Sequence, residues 1–202
     1  MSRFLRIVCL LTFCALTALT VNADTVTYTF EPPQFTAGEV TPLLNRSPNI
    51  GSASFQASFV SAVPGSFEIT PFAANVLFSG QCLVSPTTPN LLTITFNMPV
   101  TQVQFVWAQE FPGRIDFTSS AGNQSQNSAV VGGTFQGGSF TFSSATSFTS
   151  FSLAAFNVAG APVNFAIDNL TLTTVTGVPE PTALILLGTG LAALTKLRKR
   201  TR

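Results

Sequence analysis

The sequence predicts an all-β fold, a single jelly-roll-like β-sandwich flanked by two short apolar segments of another kind. Three observations predict it. Phe, Thr, Ser, Gly and Asn crowd the middle of the chain, with 20 Phe among 202 residues. Phe and Thr favour strands, and clusters of Ser, Gly, Asn and Pro favour turns. Period-two alternation of apolar and polar residues recurs there, and no sustained 3.6-residue pattern replaces it. Turn signals fall at short intervals, which divides the region into about ten short strands around one core. A barrel is the alternative architecture. Irregular strand spacing argues against a barrel embedded in a membrane.

In chain order, Arg3 and Arg6 precede the apolar stretch Ile7–Val21, and Val21-Asn22-Ala23 follows a small-x-small pattern. This is the layout of a secretory signal peptide over residues 1–23, cut between Ala23 and Asp24. A retained N-terminal helix is the other reading. Cys14 lies inside the apolar stretch behind the bulky Phe13, which excludes a lipoprotein cleavage there. Cleavage removes Cys9 and Cys14 and leaves Cys82 alone, so the exported chain has no internal disulfide and no thiol metal cluster. Cys82 is expected in the core as a small hydrophobe.

Residues 24–177 form the exported body, long enough for one domain. Val26, Tyr28 and Phe30 alternate with threonines until Pro32-Pro33 stops the strand. Ala37–Gly51 reads as a loop, with Gly38, Pro42 and Pro48. Phe55, Ala57 and Phe59 alternate, and Phe67 and Ile69 follow a Pro64-Gly65 turn. Val76–Phe78 is a short run ended by Gly80, and residues 86–90 make another turn. Leu92, Ile94, Phe96 and Met98 form one strand, and Val103, Phe105 and Trp107 another after Pro99. Pro112-Gly113 turns the chain before Ile115 and Phe117, and Ser119–Ser128 reads as a polar loop. Phe135–Phe142 is a strand region broken by Gly137-Gly138, and Phe148–Val158 is another, ended by a Gly160-Ala161-Pro162 turn. In the last strand Val163, Phe165 and Ile167 share one parity, and Leu170 and Leu172 the other. The switch at Asp168-Asn169 predicts a β-bulge.

Charge and missing residue types exclude several functions. Residues 24–177 hold seven acids against Arg46 and Arg114, a net charge of −5. An acidic body has no electrostatic footprint for nucleic acid. The chain has no histidine, which removes the usual general base, the Ser-His-Asp triad and imidazole metal sites. Glu110 and Asp116 flank a turn, and paired carboxylates are what glycoside hydrolysis requires. The simpler reading has one of them paired with Arg114 on a solvated hairpin end. Asp168 beside Asn169 offers two oxygen donors of the kind Ca²⁺ takes, too few alone, and structural hydrogen bonding of Asp168 to a neighbouring loop is the preferred role. No cofactor is expected. Trp107 shares parity with Val103 and Phe105, which places it in the core rather than on a sugar-stacking surface.

The chain closes with Val178, Pro179, Glu180 and Pro181, the uncharged apolar run Thr182–Leu194, and the basic residues Lys196, Arg198, Lys199, Arg200 and Arg202. The prolines make a stiff spacer, and Pro181 suits the first turn of a helix. At 1.5 Å per residue the run spans about 20 Å, against a hydrocarbon core of about 30 Å. Snorkelling basic residues and local thinning narrow that gap, and the basic end is expected to stay cytoplasmic. The other reading is a core or amphipathic helix with a solvated basic tail.

This arrangement over residues 178–202 resembles the PEP-CTERM sorting signal of Gram-negative bacteria. The resemblance implies that the Pro-Glu-Pro element is read by an exosortase, a membrane cysteine transpeptidase that cleaves near it. The chain is then a substrate of that enzyme, held in the membrane by its C-terminal helix until processed. It is expected in the envelope, on the cell surface or in the matrix. Proteins of this type are associated with exopolysaccharide and biofilm. The body resembles the β-sandwich domains that often precede such a tail, through Met98-Pro99-Val100 leading into Phe105–Trp107 and through Phe165–Leu170. Some of those are lectin-like, which implies a glycan role. Three functions stay open: a non-enzymatic surface or matrix protein that binds exopolysaccharide, a glycan-active enzyme using Glu110 and Asp116, and a structural protein self-associating through sheet edges.

Overall fold

The structure, a computed structural model, describes residues 23–71, 78, 80–86, 91–132 and 135–174. The expected signal peptide, most of the Val76–Phe78 run, and the sorting segment with the helix expected in it and its basic end lie outside them. Asp24–Val175 is one compact unit. It is an all-β sandwich, with eleven strands and no helix among the described residues.

The strands are β1 (Thr25–Tyr28), β2 (Leu43–Arg46), β3 (Ala57–Ser61), β4 (Glu68–Pro71), β5 (Gln81–Val84), β6 (Leu92–Gln109), β7 (Gly113–Ser119), β8 (Gly122–Asn127), β9 (Ala129–Gly132), β10 (Phe135–Asn157) and β11 (Phe165–Thr174). The main path runs β4-β5-β11-β6-β10-β7-β8, with β1 on β11, β3 and then β2 on β6, and β9 on β10. Every pairing in it is antiparallel.

Two long strands organise the sheet. Residues 92–96 of β6 pair with β3, and residues 100–109 pair with β11. Residues 136–143 of β10 pair with the second half of β6, and residues 151–157 pair with β7. Each long strand therefore serves two sets of partners, and the sheet folds over on itself where they are interrupted.

That continuity corrects the sequence reading. Pro99 does not separate two strands, because it lies within β6 at a point with no partner in the β3 or β10 ladders. A proline there removes no ladder hydrogen bond. The parity change along β6 is a bulge at Thr101: Thr174 faces Val100 and Thr173 faces Gln102, leaving one residue over. Phe135–Phe142 and Phe148–Val158 are likewise one strand. Gly137-Gly138 causes no break, since both keep register with β6. Gly137 is needed for close approach, because a Cβ there would collide with the Trp107 carbonyl oxygen. The expected loops at Ala37–Gly51 and Ser119–Ser128 contain β2 and β8. The bulge predicted at Asp168-Asn169 is present: Asp168 faces Val106 and Thr171 faces Gln104.

Burial follows the alternation. Val26, Tyr28 and Phe30, Phe55, Ala57 and Phe59, and Val103, Phe105 and Trp107 are all buried. Aromatic rings meet throughout the core, two groups of them being the largest. Tyr28, Phe30, Phe35 and Phe59 meet edge to face, with centroids 5.1–6.2 Å apart. Phe117 is the hub of the second group, touching Phe140, Phe142, Phe148 and Phe151 at 4.5–6.1 Å. Such contacts add about 0.5–1.5 kcal/mol per pair beyond area burial.

Candidate functional site

At one end of the sandwich two turns lie side by side. The first, Glu110–Pro112, joins β6 to β7, and the second, residues 158–164, joins β10 to β11. The Val158 N–H donates to the Pro112 carbonyl at 3.0 Å. Asn157 organises the second turn: its Oδ1 accepts the N–H groups of Ala159 at 2.9 Å and Ala161 at 3.0 Å. Gln109 is 1% exposed. Its Nε2 donates to the Phe111 carbonyl at 2.6 Å and more weakly to that of Phe156 at 3.5 Å. One buried amide thus ties the first turn to the end of β10. Gly113 permits this fit, because a Cβ there would strike the Phe156 carbonyl and crowd the Gln109 amide.

Between the turns lies a cleft of about 370 Å³ lined by Glu110, Phe111, Asn157, Pro162, Val163 and Asn164. Phe111 is 52% exposed, the only strongly exposed aromatic ring among the described residues. Asn164 donates through Nδ2 to the Pro86 carbonyl at 3.3 Å.

Of the two carboxylates flanking this turn, only Glu110 lines the cleft. Asp116 lies within β7 and holds the Arg114 Nε at 2.9 and 3.2 Å, while the guanidinium sits 5.2 Å from the centre of the Phe156 ring. The expected pairing with Arg114 thus falls to Asp116.

Asp168 is fully buried at its bulge. Its Oδ1 accepts the Asn169 N–H at 2.6 Å, and its Oδ2 accepts the Asn169 Nδ2 at 3.2 Å. Asn169 takes the left-handed conformation, φ 51°. These bonds tie the carboxylate to the next residue of the bulge itself. Among the described residues no group of three or more Cys, Asp or Glu side chains comes together to hold a metal. Cys82 is buried, as expected. Burial pushes its thiol far above the ordinary range, and the nearby carboxylates of Asp168 and Glu31 push the same way. Trp107 is fully buried.

Of the cleft residues, the sequence reading singles out Glu110 but not Phe111, Asn157, Pro162, Val163 or Asn164. Phe111 was the available signal: it is an aromatic in a turn, outside any strand alternation, directly before Pro112-Gly113.

Among known families, the model of the PEP-CTERM protein-sorting motif matches residues 177–200. The chain carries a PEP-CTERM sorting signal. The match covers Val178–Pro181, the apolar run and the basic residues through Arg200. This motif is the recognition signal of an exosortase, and it marks an exported protein processed at the envelope. A comparison with curated proteins found no match. Solved structures similar to this chain include a mutant of a family 29 carbohydrate-binding module, at 11% identity over 62% of this chain and 96% of that one, with a TM-score of 0.30. Another family 29 module is similar at 10% identity over 59% and 90%, with a TM-score of 0.30. The enzymatically active domain of tailspike protein 4 from bacteriophage CBA120 is similar at 17% identity over 60% and 19%, with a TM-score of 0.31.

Proposed function

We propose that this is a non-enzymatic PEP-CTERM protein of the cell surface or extracellular matrix whose β-sandwich associates with exopolysaccharide. The observation that carries the reading is the sorting signal at residues 177–200, because it supports export and recognition by an exosortase. Before processing, the apolar run Thr182–Leu194 and the basic stop from Lys196 to Arg202 hold the protein in the membrane. The body then presents a neutral-to-acidic, hydroxyl- and amide-rich surface to the matrix. The absence of histidine and the commitment of Asp116 to Arg114 support a binding role over catalysis. No step of glycoside hydrolysis is assigned to Glu110 and Asp116, since the second does not line the cleft beside the first.

Intact mass of the protein recovered from outside its host tests the sorting step. A chain beginning at Asp24 and ending between Val178 and Pro181 is expected. A chain that keeps Arg202 rules out processing by the sorting enzyme. Retention of the native, but not the denatured, protein on the host's own polysaccharide tests the association, and no retention on that material removes it.

A further inference from the structure

We propose that the cleft between the Glu110–Pro112 turn and the β10–β11 turn is a subsite for an uncharged saccharide unit, stacked on Phe111. The inference rests on the exopolysaccharide reading above and gives it a location. Four observations carry it.

The first is the placement of Phe111. Among the described residues the aromatic rings are mostly buried, yet Phe111 stands 52% exposed on the lip of a concave site. A flat apolar ring beside polar groups matches the C–H face of a pyranose, whose hydroxyls require partners around its edge. The second is the set of partners. Glu110 supplies an exposed carboxylate acceptor on the same turn. The Asn157 Oδ1 is occupied by two backbone N–H groups, which orients the amide and leaves Nδ2 as the donor it has to offer.

The third observation is preorganisation. The Phe111 turn is held from below by the buried Gln109 amide at 2.6 Å, and the facing turn is held by Asn157 and by the Val158–Pro112 bond. Both walls are therefore fixed before a ligand arrives, which lowers the ordering cost of binding. Gln109 is a positioning residue here, since it acts through the Phe111 carbonyl. The fourth is charge. No Lys or Arg lines the cleft, and the body carries −5 overall, so an anionic sugar meets repulsion and an uncharged one does not.

Affinity electrophoresis of the full chain in detergent micelles tests the proposal. The gels contain hydroxyethylcellulose, galactomannan or dextran as neutral polysaccharides, or alginate as an acidic one. Retardation in at least one neutral gel is expected. Phe111→Ala should weaken it about tenfold, Glu110→Gln should weaken it less, and Phe111→Trp should preserve it. Val130→Ala, at an exposed position outside the cleft, should change nothing, and all variants should melt with the parent chain. Retardation that survives both Phe111→Ala and Glu110→Gln overturns the cleft assignment and leaves the matrix reading standing. Retardation only by alginate overturns the choice of an uncharged ligand. No retardation in any gel, together with no retention on the host's own polysaccharide, removes the association itself.

Discussion

Asn169 shows how one residue sets the local geometry of the last strand. Its φ of 51° lies in the left-handed region, which Gly and Asn enter at low cost and β-branched residues do not. The extra residue of the bulge occupies this position, and the buried Asp168 carboxylate locks it through the Asn169 N–H and Nδ2. The conformation and the amide contacts make separable contributions. Asn169→Gly keeps the conformation and loses one weak bond, so urea denaturation should show a change of about 0.5 kcal/mol. Asn169→Val loses the same bond and forces a β-branched side chain into the left-handed region, so the loss should reach about 2 kcal/mol. Equal stability of the Gly and Val variants would mean that the backbone conformation is not what fixes the residue. The bulge was legible in the sequence because the apolar parity of β11 switches at this residue, and a strand with one buried face registers a one-residue slip at once.

At the scale of elements, β8 is the instructive case. Its sequence, Gly-Asn-Gln-Ser-Gln-Asn, has no apolar residue, so alternation gave no signal and the segment read as a loop. Backbone pairing with β7 makes it a strand, in unbroken register from Arg114–Asn127 to Ser119–Gly122. Its side chains then reach a second strand. The Gln124 Nε2 donates to the Thr141 carbonyl at 3.0 Å, and the Gln126 Nε2 donates to the Ser139 carbonyl at 2.8 Å. Two side-chain amides thus cover a stretch of β10 beyond the short β9 ladder, and they blunt an edge that would otherwise pair with other chains. Replacing both glutamines by alanine should cost only about 1 kcal/mol, because the carbonyls are exposed and water takes over. Amide exchange in β7 and β8 should nevertheless quicken, while β11 stays protected. Unchanged exchange in β8 would show that the seam contributes nothing to holding it. The long strands were misread for the opposite reason. Pro99 and Gly137-Gly138 are strong local breakers, but each sits where the tertiary ladder needs no N–H or no side chain.

Over the whole molecule, export signals and body follow different rules, and their legibility differs accordingly. The sorting signal is read by sequence, so Val178–Pro181 with the apolar run and basic end was visible at once. The cleft is made by two turns that are distant in sequence and joined by backbone contacts and a buried glutamine, so the sequence shows Glu110 and Phe111 on the first turn but not the second turn beside them. The body's core also carries a global consequence for pH. It encloses the only tyrosine of the chain, Tyr28, and the only cysteine among the described residues, Cys82, both fully buried. Burial pushes the pKa of both groups far upward, chiefly because the anions would lose their hydration. In the unfolded chain these groups ionise near their ordinary values of 9.0 for the thiol and 10.0 for the phenol. The stability they contribute is fully present below those values. It falls as pH rises above them, because the unfolded chain sheds protons that the folded chain keeps. Each group then removes about 1.4 kcal/mol per pH unit. Urea midpoints should therefore hold level from pH 7 to about 8.5, as far as these groups govern them, and drop steeply by pH 10.5. Cys82→Ala combined with Tyr28→Phe should lower stability at pH 7 through lost packing and a lost phenol hydrogen bond to the Arg46 carbonyl, yet flatten the alkaline drop. An alkaline slope in that double variant as steep as in the parent would place the titrating groups elsewhere.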